Sequence, residues 1–435
     1  MLDDRPNFIE SKDLHSTWCS TAALAKFKLQ DMLDPADGVI HRDEIGKATG
    51  LLSEAATMTA VWPFLAKAAL MEDKLKSIRE AIKTYSAAGC AGIMDTAMDE
   101  NAWEALEELR SKEELSIRLA AYWLISPSNT DEENMAQVDR AIALHDDFRI
   151  AGIKVICDGV ILAFTAAPDT EMLKRFVQKL DSAGLQCAVE DAAIKLAMGS
   201  IESVGPAGQR HRIEHLELTS PGDAKRLSNL MITAPIQAVH ADPAILRAWP
   251  KLLGQERFRR AFAYREFLDD AHPALGTDPP PAPHIPPANR HAATTQPSAK
   301  ESKLTDTMNA HFALPLAIAV SGATAGSVFF YFANSRAGTL EAGKKADFVV
   351  VDMPMEPRKL LEAAMIETWF DGKKSGSVRP DYGWLFDQFA SALKSFLRWV
   401  LAPYLYLRYV LRLEGNTLSP QFQAFYTSDF HRYKI

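Results

Sequence analysis

The chain has 435 residues, enough for one large barrel with additions or for two to three ordinary domains. Hydrophobic residues make up 47% and charged residues 24%, which indicates a globular protein with a sizeable core. The net charge of −8 argues against a general nucleic-acid-binding protein, because phosphate contacts need clustered Lys and Arg. The four cysteines include no Cys-x-x-Cys pair, so we expect reduced thiols in a cytoplasmic protein rather than a disulfide framework.

Short apolar runs alternate with amphipathic stretches from about residue 72 onward. Leu173, Phe176, Val177 and Leu180, for example, have the i, i+3, i+4, i+7 spacing of one helix face, and Gly184 ends that helix. The predicted strands are 91–95, 117–125, 152–157, 185–189, 211–216, 231–236 and 273–277. Strands that alternate with helices predict a parallel sheet with crossover helices, here closed into a barrel of the (β/α)₈ type.

Seven strands are one fewer than such a barrel needs. An eighth would have to precede residue 91, and the best candidate is the short run Phe8–Glu10. A barrel without this strand would expose two sheet edges with unpaired backbone groups. We therefore expect that the first strand of the barrel is missing from this chain.

The chain after the last predicted strand changes in composition three times. Residues 279–309 are rich in proline and polar residues and predict a long loop. A helix at 314–325 and a small β-element at 337–373 follow. Between 384 and 413, Lys and Arg fall on one side of a helical wheel among aromatic and aliphatic residues. This pattern fits a basic amphipathic helix on a membrane surface, or a helix packed on the barrel or a partner.

Three candidate site features lie at the carboxyl ends of predicted strands, where barrel enzymes have their active sites. His215 ends the run 211–215 and has the chemistry of a metal ligand, although a structural histidine is the alternative. Asp278 follows a strand and could bind a metal and accept a proton from water, although Asp before Pro is also a common turn residue. Lys154 lies in an apolar strand, where a charge is costly unless it is paired or modified; an edge position with the ammonium in water is the alternative.

Several motifs occur in an order that resembles the amidohydrolase superfamily. They are Gly152-Ile-Lys154 with Asp158, Arg212-Ile-Glu-His215, Gly276-Thr-Asp278 and the segment 337–352. More narrowly, they are similar to the third amidohydrolase family, whose relatives include formamide deformylases and N-acyl-D-amino-acid deacylases. The resemblance runs from about residue 5 to about residue 374. It implies a barrel domain at 1–335, a remnant of a small β-sandwich at 336–375 and a divergent tail at 376–435.

The resemblance also implies a reaction and a site. Such enzymes use one or two divalent metals to hydrolyse carbon–nitrogen bonds, so we expect a small amide or formamide substrate. Lys154 matches a bridging, carbamylated lysine, His215 a histidine of the sixth strand, and Asp278 the aspartate of the eighth strand and general base. The resemblance places three further residues near the substrate, namely Glu54, Gln237 and His240.

Two parts of the family pattern are absent from this sequence. The His-x-His pair of the first strand has no counterpart, and the fifth-strand histidine is missing from the run Cys187-Ala-Val-Glu190-Asp191. Glu190 could supply a replacement oxygen ligand. We therefore expect one divalent metal at most, with zinc favoured. The missing ligands leave two alternatives to an active hydrolase: an impaired family member with a binding role, or a membrane-surface protein that uses the basic tail. A homo-oligomer is a further expectation, because an open sheet edge needs cover.

Overall fold

The computed structural model describes residues 5–376 except for short internal gaps. These gaps are 12–13, 36–37, 126–129, 146–149, 157–169, 191–193, 206–209, 268–272, 302 and 354–355. Asp158 and the predicted basic helix at 384–413 lie outside the described residues, and so does the side chain of Glu190. Among the described helices, none combines the length and apolar character that a bilayer span requires.

The N-terminal part is a four-stranded antiparallel sheet in the order β1-β2-β4-β3. Its strands are Phe8–Glu10 (β1), Ser16–Cys19 (β2), Gly38–Arg42 (β3) and Ala48–Glu54 (β4). The helices Thr21–Phe27 (α1) and Trp62–Ala68 (α2) pack with it around a core that includes Phe8 and Leu52. The prediction that Phe8–Glu10 could be a barrel strand is wrong. Only five residues separate β1 from β2, which is too short for the crossover that a parallel strand needs.

Parallel strands follow, and each of the seven predicted ranges contains or overlaps one of them, five in one sheet and two in a short separate pair. Five strands pair in chain order: Gly92–Met98 (β5), Arg118–Ile125 (β6), Ile150–Val155 (β7), Gln186–Glu190 (β8) and Arg212–Glu214 (β9). A parallel bridge between Arg212 and Thr233 continues the sheet toward the parallel pair Pro235–Ile236 (β10) and Ala274–Leu275 (β11). The result is a curled half-barrel, because among the described residues no pairing joins β11 to β5.

Helices alternate with the strands and cover one face of the curled sheet. They are Met71–Ala87 (α3), Glu100–Lys112 (α4), Asp131–Ala143 (α5), Thr170–Ser182 (α6), Ile194–Val204 (α7) and Pro221–Asn229 (α8). Side chains of Asp99, Thr130 and Ser220 cap three of them by accepting hydrogen bonds from backbone N–H groups. The four apolar positions predicted for α6 are all buried in the main core, where each contributes roughly 1.5–3 kcal/mol.

The two faces of the parallel sheet differ in chemistry. In β6, Ala121, Trp123 and Ile125 face the helices and belong to the main core, whereas Tyr122 faces the other way. Because side chains alternate along a strand, the concave face also receives polar residues from the other strands. The concave face is therefore a buried polar surface with a few small apolar residues.

The segment after β11 contains more helix than its composition predicts. It holds Pro286–Thr295 (α11), Leu316–Ser321 (α12) and Ser327–Phe330 (α13), whereas two shorter helices, Trp249–Leu253 (α9) and Gln255–Phe258 (α10), lie between β10 and β11. The prediction of a long loop at 279–309 is wrong where α11 occupies it. Two prolines fit the first turn of α11, where the missing N–H groups have no intrahelical partner, and small helix-forming residues follow. The helix predicted at 314–325 corresponds to α12, a wider turn at Gly322–Gly326, and α13.

A three-stranded antiparallel element ends the described chain. Its strands are Phe348–Asp352 (β12), Ala364–Phe370 (β13) and Lys373–Gly376 (β14). The Arg118 guanidinium of β6 binds the Asp347 carboxylate through two contacts of 2.7 and 2.9 Å. The Thr368 hydroxyl donates to the carbonyl of Ser86 in α3 at 2.6 Å. The β-element is thus attached both to the parallel sheet and to its covering helices.

Candidate metal centre

His215 lies immediately after β9, at the carboxyl end of the parallel sheet. Its backbone is left-handed, with φ of +58°, and the Glu217 N–H donates to its carbonyl at 2.8 Å. A non-glycine residue in this conformation is uncommon and is often found where a side chain must be aimed. The turn ends the strand and brings the side chains of His215 and Glu217 to the same region.

Asp278 and His240 approach the same place from the last two strands. Asp278 follows β11 with φ of +50°, and His240 lies in a tight turn, Ala238–Ala241, after β10. The buried Asn289 of α11 joins the two strand ends. Its carbonyl oxygen accepts from the Val239 N–H at 3.0 Å, and its amide donates to the Gly276 carbonyl at 2.7 Å.

The four side chains form a compact cluster. Glu217 Oε1 lies 3.1 Å from His240 Nδ1 and 3.6 Å from His215 Nδ1. His240 Nε2 lies 3.3 Å from Asp278 Oδ2. The two imidazole rings are stacked, with centroids 5.7 Å apart and planes 9° apart. The Asp278 side chain is 35% exposed, so the cluster is open to solvent on its aspartate side.

The charges in the cluster stabilise one another. Burial would raise the pKa of Glu217 and of Asp278, but the neighbouring histidines hold both below their usual range. Burial would lower the pKa of His240, but the carboxylates of Asp278 and Glu217 on its two sides raise it to about 9. The cluster therefore holds two ionised carboxylates around a protonated His240, and a metal bound by His240 would have to displace a ring proton.

Lys154 lies within electrostatic reach of this cluster. It is a nearly fully buried residue of β7, and its charge is one of those that lower the pKa of Asp278. Of the alternatives for Lys154, burial excludes an exposed edge position. The backbone of Glu190 pairs with that of Glu214 at the end of β8, but its predicted role as a ligand depends on a side chain outside the described residues.

Two of the residues predicted near the substrate have other partners. Gln237 is buried, and its amide donates to the Glu214 carboxylate at 3.1 Å. Glu54 ends a strand of the antiparallel sheet, with φ of +53°, and its carboxylate contacts His15 Nδ1 at 2.7 Å. Their roles near a substrate stay predictions, whereas His240 lies directly in the cluster.

A buried polar network lies beside the cluster, on the concave face. Arg212 and Glu214 form an ion pair at 2.6 Å, with both side chains almost inaccessible to solvent. The Arg212 guanidinium also stacks on the ring of Tyr122, whose hydroxyl donates to Gln186. The side chains of His215 and Asp278 are 24% and 35% exposed, so the accessible part of the site lies at these two residues rather than at the buried ion pair.

The side chains of the cluster fit a divalent metal. His215, Glu217 and His240 can each offer one ligand atom, with all three atoms within 4.8 Å of one another. His240 Nε2 is buried, and it faces Asp278 Oδ2 at 3.3 Å. Imidazole and carboxylate donors suit zinc, iron or manganese. Glu217 was not among the residues singled out from the sequence, and the only signal for it is an acid two positions after a strand-end histidine.

Comparison with known proteins links the chain to metal-dependent hydrolases. The sequence matches the model of the amidohydrolase family over residues 1–374. It is 27% identical over 391 residues to the Arabidopsis thaliana protein LONG AFTER FAR-RED 3, covering 78% of this chain and 64% of that protein. It is 23% identical over 389 residues to the putative amidohydrolase YtcJ of Bacillus subtilis (strain 168), covering 81% of this chain and 70% of that protein. The chain thus spans about two thirds of the length of these relatives.

Solved structures share the fold. An uncharacterized metal-dependent hydrolase from Pyrococcus horikoshii OT3 has a TM-score of 0.62 at 24% identity, covering 79% of this chain and 70% of the other. A metal-dependent hydrolase from Pyrococcus furiosus has a TM-score of 0.59 at 20% identity, covering 79% and 71%. At this level of identity the likeness concerns the fold alone.

Proposed function

Because the chain belongs to the amidohydrolase family, we propose that it is a metal-dependent hydrolase that cleaves the carbon–nitrogen bond of a small amide or formamide. The observation that carries this proposal is the cluster of His215, Glu217, His240 and Asp278 at the carboxyl ends of the parallel strands. This is the end of the sheet where barrel enzymes have their active sites. Formamide deformylases and N-acyl-D-amino-acid deacylases are the narrower relatives we propose, with zinc as the preferred metal.

The proposed chemistry divides between a metal and the residues of the chain. A bound divalent metal would lower the pKa of water and polarise the carbonyl of the substrate. His215, His240 and Asp278 are the side chains that would hold it. Asp278, whose pKa is lowered and whose side chain is partly exposed, would accept a proton from the attacking water and return it to the leaving nitrogen. The buried positive charge of Lys154 helps to keep Asp278 ionised before that transfer.

The alternative is a catalytically impaired family member with a binding role. The missing family histidines favour this alternative, because they leave Lys154, His215 and Asp278 as the matched metal-site groups. The cluster adds Glu217 and His240 to these, so the site has more donor groups than the motifs alone indicate. This addition favours the hydrolase over the binding protein. That the barrel lacks its first strand, and that the β-element is a sandwich remnant, stay predictions.

Metal content and hydrolysis test the proposal together. We would measure metals in the purified full chain by plasma mass spectrometry, and screen N-formyl and N-acyl amines for release of the amine. Asp278→Asn should abolish turnover, whereas Glu104→Gln, an exposed acid on α4, should leave it unchanged. A chain that carries no metal and hydrolyses none of these compounds would contradict the proposal and favour the binding role.

A further inference from the structure

The segment between β10 and β11 is basic, although the chain as a whole is acidic. Residues 245–267 contain six basic and two acidic side chains, whereas the net charge of the chain is −8. One of the two acids, Glu266, pairs with Arg260 at 2.7 Å. The positive charges lie on and around the short helices α9 and α10. A local excess of positive charge on an acidic protein favours a partner of negative charge.

Most of these basic side chains have no carboxylate partner. Four of the six are exposed and make no ion pair with any residue that the structure describes: Lys251, Arg257, Arg259 and Arg265. The other two pair with carboxylates at distances of 2.6 and 2.7 Å. Exposed cations are well solvated on their own, so these four groups are stable as they stand and remain available to an anionic partner.

Two large aliphatic side chains lie among these charges. Leu252 is 51% exposed and Ile245 is 44% exposed. Leu252 follows Lys251 near the end of α9, and the exposed Gly254, with φ of +76°, turns the chain into α10. Single aliphatic side chains in water are common. Cations and aliphatic side chains together, however, suit a membrane surface, where anionic headgroups adjoin acyl chains.

The segment is fixed beside the candidate metal centre. Trp249 of α9 stacks on Phe262, with ring centroids 5.3 Å apart. The Phe262 N–H donates to the Glu217 carbonyl at 2.7 Å. The Asn309 amide donates to the carbonyl of Phe258 in α10 at 2.8 Å. The basic and aliphatic side chains are therefore carried by a well-anchored support next to the cluster.

We propose that the α9–α10 segment docks the protein on an anionic phospholipid surface. Lys251, Arg257 and Arg259 bind the headgroup phosphates, and Leu252 enters the interface between headgroups and acyl chains. This surface is separate from the basic tail at 384–413, and docking requires neither a metal nor hydrolysis. A soluble polyanion would match the charges but leave Leu252 in water, so the aliphatic side chains favour the membrane.

Sedimentation of the full chain with lipid vesicles measures the docking. Vesicles of phosphatidylcholine alone are compared with vesicles of equal parts phosphatidylcholine and phosphatidylglycerol, each at low and at high salt. The test variants are Leu252→Ser and the double variant Arg257→Gln with Arg259→Gln. Thermal unfolding of each variant checks its fold.

Matched controls come from exposed residues elsewhere in the chain. Leu340→Ser removes an aliphatic side chain that is 75% exposed in the segment before β12. Lys76→Gln with Lys83→Gln removes two exposed cations from α3. Both controls should bind vesicles as the unaltered chain does, because neither touches the α9–α10 segment.

The proposal predicts the size of each effect. Binding should require the anionic lipid and weaken at high salt, since salt screens the attraction between cations and headgroups. Arg257→Gln with Arg259→Gln should weaken binding about 25-fold, which corresponds to roughly fivefold for each charge removed. Leu252→Ser should weaken it about three- to tenfold at either salt concentration, because about half of this side chain remains to be buried.

Three results would overturn the proposal. The first is a chain that does not bind anionic vesicles. The second is equal binding by the test variants and the unaltered chain, which would place the contact elsewhere, such as in residues 384–413. The third is weaker binding by the double variant with no change in Leu252→Ser, which would make the segment a site for anions in general. None of these results bears on metal content or hydrolysis, so the proposed function is tested separately.

Discussion

The buried ion pair between Arg212 and Glu214 should be among the most sensitive points of the fold. Both side chains are less than 5% exposed, and their charged atoms are 2.6 Å apart. Among the residues that the structure describes, Glu214 has one further hydrogen-bond partner, the Gln237 amide at 3.1 Å. Arg212→Met would leave a buried carboxylate with that single neutral partner. Removal of one member of a buried pair costs about 3–5 kcal/mol, because the remaining charge has lost its compensation.

An exposed pair with the same geometry provides the control. Arg140 and Glu100 are also 2.6 Å apart, but their side chains are 45% and 48% exposed. Arg140→Met should cost no more than about 1 kcal/mol, since water solvates the remaining carboxylate. The two variants therefore differ in burial rather than in distance.

Urea unfolding, monitored by tryptophan fluorescence and circular dichroism, measures these costs. We expect Arg212→Met and Glu214→Leu to be strongly destabilising alone, and the double variant to cost clearly less than their sum, because it leaves no uncompensated charge. A cost for Arg212→Met as small as that for Arg140→Met would refute this reasoning. So would a double variant whose cost equals the sum of the single costs within about 0.5 kcal/mol.

Three further predictions concern other parts of the fold. Gly152→Ala would place a Cβ atom 2.1 Å from a backbone carbonyl oxygen of β8, so it should lower the free energy of unfolding by about 1–3 kcal/mol or more. Gly199→Ala, at an open helix position, should raise the free energy of unfolding by about 0.5–1 kcal/mol, and urea titration compares the two variants. Burial lowers the pKa of His284 to about 4, so between about pH 6.5 and pH 4 only the unfolded chain binds a proton at this residue. The free energy of unfolding should therefore fall by up to about 1.4 kcal/mol per unit as the pH is lowered through this range, and the slope should be shallower in His284→Asn. Asp347→Ala would leave the half-buried Arg118 without its carboxylate and should cost about 1.5–3 kcal/mol, seen as faster proteolysis near the β-element.

The parallel sheet was predictable because its strands are buried. Runs such as Ile150–Val155 are apolar on the face toward the helices, and amphipathic stretches follow them, three with capping side chains. This combination of length and periodicity identifies a strand without knowledge of its neighbours. The antiparallel sheet was not predictable in the same way. Its strands are short and half exposed, and the antiparallel pairing of Phe8–Glu10 with β2 cannot be inferred without knowing the turn that joins them.

The candidate site was predictable only in part. His215 and Asp278 follow recognisable strands, so their position at the carboxyl end of the sheet can be inferred. Glu217 cannot be placed from the sequence, because the left-handed turn at His215 decides where its side chain lies. The proximity of His240 to Asp278 depends on Asn289, in a segment whose prolines indicated a loop.

Asn289 of helix α11 forms hydrogen bonds to the backbone after β10 and after β11, so α11 fixes the distance between these two strand ends. Helix α11 in turn packs against the segment that joins the strands of the C-terminal β-element. The carbonyl of Pro357, which precedes the last strands, contacts His291 Nδ1 at 3.3 Å, and Leu361 packs on the apolar residues around α11. The separation of His240 from Asp278 therefore depends on α11, whose other side contacts the C-terminal β-element. A bound ion whose radius does not suit that separation would require α11 to move. The size of a metal that would fit the proposed site therefore depends partly on residues far from the coordinating atoms, through the packing of the C-terminal β-element against α11.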